Sequence, residues 1–196
     1  MKLLSGVIVI SAIYAQTSWQ GLQFGMNRQQ VRDALLAKNF SVRDLDATTY
    51  SVEPDFEVKT NSPFLAANFK AEIASASMFF KPAAIFDARN GLQTIKLELD
   101  QAKVFQSAPA FQSNVPALTA IAGTSIYEQL TGKYGPPVSK RGPCDNIPVA
   151  SLIGSIQECS AKWKDSGQTI DLFWSYNWPL RKLSFFVTYS AVAATL

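Results

Sequence analysis

Residues 84–100, AIFDARNGLQTIKLELD, carry the strongest local signal in the chain. Asn90-Gly91 stands between two β-prone runs, 84–88 and 92–100, and a two-residue hairpin turn needs residues that accept positive φ. In the second run Ile95, Leu97 and Leu99 point one way while Thr94, Lys96 and Glu98 point the other. A strand with one apolar and one polar face belongs to an antiparallel sheet covered on one side and wet on the other.

The pattern recurs on either side. Toward the C-terminus, 157–165 reads as a strand, Ser166-Gly167 as its turn and 169–178 as the next strand. Trp178-Pro179 breaks that strand, and 181–189 is the last, with Leu183, Phe185, Val187 and Tyr189 inward. Toward the N-terminus, 51–60 alternates and is acidic, and 69–81 is extended. Two helices interrupt the strands. Asn27 is a good N-cap with Gln30 three residues on, which predicts a helix over 27–38 with Val31, Ala34 and Leu35 on its inner side. Ser125 with Glu128 forms a second capping box, ahead of Ile126, Leu130 and a stop at Gly135-Pro136-Pro137. Residues 101–116 read as an irregular connection. The expected fold is α+β, an antiparallel β-sheet with helices packed on one face. The order helix, strands, helix, strands also admits two tandem units, a pseudo-repeat of 19–100 and 115–190, with Val31-x3-Leu35 loosely matched by Ile126-x3-Leu130.

Residues 1–15 have the layout of a secretory signal peptide: Lys2, an apolar run from Leu3 to Ile13, and the small Ala15 before the expected cleavage. The run is shorter than the ~20 residues a membrane helix needs. Cleavage leaves residues 16–196 as one globular α+β domain. The full chain is 47% hydrophobic and 12% aromatic, the composition of a folded protein. Its net charge of +3 includes no run of Lys or Arg, so the sequence offers no case for nucleic acid. In an exported chain the only two cysteines, Cys144 and Cys159, are expected to form a disulfide. CxxC spacing is absent and the chain has no histidine, which speaks against a redox pair or a zinc site. It also excludes Ser-His-Asp and Cys-His catalysis. No phosphate loop or nucleophile elbow is found, and no enzyme activity, metal or cofactor is expected.

Gly25-Met26-Asn27-x3-Val31-x3-Leu35 resembles the start of the helix in β-lactamase-inhibitor-protein-like domains, which include small SmpA/OmlA-type outer-membrane assembly proteins. Tyr134-Gly135-Pro136-Pro137 is similar to the element that ends the family's helix. The resemblance implies a helical layer on an antiparallel sheet, in one or two copies, and protein binding rather than catalysis. The assembly proteins carry a lipidated Cys after the signal, whereas Gln16 stands here, which implies no stable membrane anchor.

Two constellations are candidates for function. Glu53, Asp55 and Glu57 alternate and would share one strand face, either as a Ca²⁺ or acidic docking strip or as a solvated edge strand. Trp174, Tyr176 and Trp178 also share one face, continuing Ile170 and Leu172. Either they are core and its rim, or they form an aromatic platform for a partner. The sequence therefore favours an exported, periplasmic or secreted, non-enzymatic module that binds a protein partner, an envelope scaffold or inhibitor-like. The alternative is a small-ligand, lipid or glycan carrier with an aromatic-lined pocket.

Overall fold

The computed structural model describes residues 19–61 and 75–192. The expected signal at 1–15 and part of the expected strand, 69–74, lie outside those residues. A 3-10 turn at Trp19–Gly21 leads to α1 (Arg28–Leu36). Five strands follow: β1 (Ser41–Asp44), β2 (Thr49–Glu53), β3 (Phe56–Asn61), β4 (Ser75–Phe86) and β5 (Leu92–Leu99). Next come α2 (Gln101–Ser107), α3 (Ala110–Ser113) and α4 (Val115–Tyr134). The chain ends in β6 (Ser139–Arg141), β7 (Ile156–Asp165), β8 (Gln168–Asn177) and β9 (Lys182–Ala191).

All nine strands join one antiparallel sheet in the order β1-β2-β4-β5-β9-β8-β7-β6, with β3 extending the β2 edge along β4. The fold is α+β, as the alternation of residues 92–100 implies. The order reads alike from both ends. One helix and then strands build the first half, three helices and then strands the second, and the halves meet where β5 pairs with β9, Leu97 opposite Val187. The hairpin turn expected at Asn90-Gly91 is present, with Asn90 at φ 65° and the Asp87 carboxylate accepting from the Arg89 and Gly91 N–H groups.

Burial alternates residue by residue along β8 and β9, and the buried set faces the helices. The largest fully buried side chains include Phe80, Phe111, Trp163, Trp174, Tyr176 and Phe185. At Asn27 the capping box forms as expected: its side chain accepts from Gln30 N–H, and Gln30 accepts from Asn27 N–H.

The second helix differs from expectation. It begins ten residues before Ser125, and Asn114 is its N-cap, accepting from Ala117 N–H at 3.2 Å. Pro116 sits in the first turn, where a missing N–H costs nothing. Every residue from Val115 to Ile126 is buried, so this helix has no polar face to generate a helical period. Ser125 lies mid-helix and buried instead of capping. Small residues make the burial possible. A Cβ added at Gly123 would stand 2.4 Å from Ile147 Cδ1 and 3.0 Å from Trp174 Nε1. Residues 101–113, expected to be irregular, form two short helices, the first capped by Asp100. The expected strand 51–60 is split at the cis Glu53–Pro54 bond into β2 and β3.

Cys144 and Cys159 form a disulfide with Cα atoms 5.2 Å apart, tying the loop after β6 to β7. Among the described residues no helix is long and apolar enough to cross a membrane.

Candidate functional site: the open face of the sheet

A strand's side chains alternate between two faces, so every residue pointed away from the helices arrives on the opposite side of the sheet. On β8 these are Thr169, Asp171, Phe173, Ser175 and Asn177; on β9 they are Ser184, Phe186, Thr188 and Ser190. Phe173 lies directly opposite Phe186 across the β8–β9 ladder. Their rings stack with centroids 5.0 Å apart and planes 25° from parallel, and both are half-buried. From β5, Lys96 sets its ammonium 4.9 Å from the Phe186 centroid and 2.8 Å from Glu98. Lys162 on β7 pairs with Asp171 at 3.1 Å. The centre of the face is thus an aromatic pair ringed by ion pairs and hydroxyls.

On the first half, the same face sinks into a depression of about 410 Å³ lined by Arg43, Glu53, Asp55, Lys81, Lys96 and Glu98. Asp55 pairs with Lys103 at 3.2 Å, and Lys81 with Asp100 at 2.9 Å. Burial pushes the Asp100 carboxyl up, but the Lys81 ammonium and the Lys103 backbone N–H outweigh it and hold it below the usual carboxylate range. The same contact raises the Lys81 ammonium.

The three acidic residues all come to the open face, although the break at Pro54 divides them between two strands. Glu53 and Asp55 reach the depression, while Glu57 on β3 accepts a hydrogen bond from the Ser77 hydroxyl. Among the described residues no group of three acidic, His or Cys side chains is placed to hold a metal ion.

The aromatic set Trp174, Tyr176 and Trp178 falls on the core side, which decides between the two readings of that strand face: they are core and its rim, not an exposed platform. Trp174 and Tyr176 are wholly buried because they share the parity of Ile170 and Leu172, the face that α4 covers. Trp178, just past β8, is half-buried at the end of the sheet. Phe173 and Phe186, on the opposite parity, hold the open face instead. Their signal in the sequence is an aromatic on the polar phase: Leu183, Phe185 and Val187 point inward, so Phe186 between them must point out.

Comparison with known proteins finds no matching family model, no matching curated protein and no matching solved structure.

Proposed function

We propose that this chain is an exported, non-enzymatic protein-binding module, a scaffold or inhibitor-like protein of the envelope or extracellular space, whose contact surface is the open face of the sheet. One observation carries the reading: the helices pack on the other side, leaving an exposed face centred on stacked Phe173 and Phe186. Eight strands at ~4.8 Å spacing make that face about 34 Å wide. Eight residues of strand at ~3.4 Å each give a length of about 27 Å, so the face is on the order of the ~800 Å² each partner contributes to a stable interface. An aromatic centre with a charged and hydroxylated rim is the composition of a binding hot spot. The resemblance of residues 25–35 to β-lactamase-inhibitor-protein-like domains supports the same reading, as does the disulfide, which suits an oxidising compartment.

A carrier of lipids or larger apolar ligands is favoured less. The cavity between α4 and the sheet, lined by Phe80, Leu97, Ile126, Leu130 and Val187, holds about 70 Å³. Small-molecule sites are typically ~300–1,000 Å³.

The test is capture from envelope extract on the immobilised mature chain, compared with a Phe173→Ala/Phe186→Ala double variant of unchanged circular dichroism. The wild type should retain a protein partner saturably, and the variant should lose at least about tenfold in affinity. Undiminished capture by the variant, or recovery of a co-purified small molecule and no protein, overturns the reading.

A further inference from the structure

At the end of the sheet remote from the β4–β5 hairpin turn, the turn after β8 meets the amino end of α4. The cleft between them holds about 100 Å³. Its apolar wall is Val115, Pro116, Val149 and Ile153, and Trp178 closes one side. Two polar groups distinguish it from a packing gap. Tyr176 is wholly buried, yet its hydroxyl has no hydrogen-bond partner among the described residues, an arrangement that is costly to leave unmet. Arg181, also lining the cleft, has no carboxylate partner among the described residues, and its charge acts on the Tyr176 phenol. Arg181 is held at φ 48°, a conformation uncommon for a residue with a side chain. The amino end of the twenty-residue α4 adds its partial positive charge.

We propose that this cleft is a second binding site, for a carboxylate carried on a compact apolar body. Tyr176 Oη and the Arg181 guanidinium donate to the carboxylate, and the body packs on Val149, Ile153 and Trp178. Burial raises the Tyr176 phenol above its ordinary range, so it stays a donor at any physiological pH. A volume of about 100 Å³ suits one branched side chain or a small acid. Ile153 beside the cleft is 54% exposed, and Leu180, next to Arg181, is 70% exposed, which leaves the mouth open. The carboxylate has two possible sources, a free small acid or the C-terminus of a polypeptide. The site is separate from the open face and does not depend on its role.

The test is an NMR titration of the mature chain with 4-methylpentanoate, following the Trp178 indole and Arg181 Nε–H signals, with 4-methylpentanamide as the uncharged isostere. The acid should shift both signals saturably, and the amide should bind at least about tenfold more weakly, the worth of a charge-assisted hydrogen bond. Tyr176→Phe removes only the unpartnered hydroxyl, and Arg181→Asn suits the left-handed backbone, so both variants should fold. Each should weaken the acid about tenfold. The Phe173→Ala/Phe186→Ala variant should bind the acid as the wild type does, so failure here and failure of the open-face reading are told apart. Acetyl-Gly-Gly-Leu with a free C-terminus separates the two sources: tighter binding than the acid points to a polypeptide end, equal or weaker binding to a free acid. Equal binding of acid and amide, no shift at either signal, or wild-type affinity in both variants overturns the proposal.

Discussion

Gly142 and Gly132 show how differently one residue type can be used. At Gly142 φ is +79°, and an added Cβ would stand 2.1 Å from the Glu158 carbonyl oxygen, a backbone atom that β7 holds in place. At Gly132, on α4, an added Cβ meets nothing within 4 Å. Gly142→Ala should therefore destabilise the fold by about 3 kcal/mol, through overpacking and left-handed strain together. Gly132→Ala should stabilise it by up to ~1 kcal/mol, the helix-propensity difference. Urea denaturation of the two variants checks this, and equal midpoints would show the close approach at Gly142 to be unimportant. Asp100 makes a pH-dependent contribution. Its carboxyl is held below the usual range in the folded chain by Lys81 and the Lys103 N–H. The stability it contributes is full above the unfolded value near ~4 and is lost as pH falls through the lower folded value. The denaturation midpoint of the wild type should fall more steeply below about pH 4 than that of Asp100→Asn. Parallel acid limbs would show that the ion pair adds nothing.

Among the elements, the helices differ most in how far their sequence reveals them. α1 is exposed on one side, so Asn27, Gln30, Val31 and Leu35 show a cap and a helical period. α4 is buried all round from Val115 to Ile126, and Ala117, Ala120, Ala122 and Gly123 mark close packing rather than a face. Its start was therefore invisible, and Ser125-x2-Glu128 imitated a cap inside the helix. The strands 156–165, 168–177 and 182–191 were legible to within a residue or two, since one face of each is wet. Between β6 and β7 the disulfide closes a fifteen-residue separation. By the chain-entropy estimate Cys144→Ala/Cys159→Ala should cost about 3 kcal/mol. A urea midpoint unchanged by that double substitution would mean that the turn at Gly142 and the β6–β7 pairs already hold the loop.

For the molecule as a whole, one-sided burial is the organising fact. Helices α1 and α4 lie over one face of a nine-stranded sheet, and the other face presents Phe173, Phe186 and a field of lysine–carboxylate pairs. By itself the sequence determined the sheet, its antiparallel sense, the hairpin at Asn90-Gly91, the cap at Asn27 and the parity of β5, β8 and β9. These follow from local chemistry: turn residues, capping oxygens and a two-residue period. The tertiary structure alone decided how far α4 covers the apolar parity, burying Tyr176 as completely as Trp174 and leaving Trp178 half-buried at the end of the sheet. It also brought Arg181 to the cleft beside Tyr176, and Glu53, Asp55 and Glu98 into one depression with Lys81 and Lys96. Those meetings depend on packing a small-residue helix against one particular face and on pairing β5 with β9 across more than eighty residues of chain. No local pattern encodes contacts at that separation.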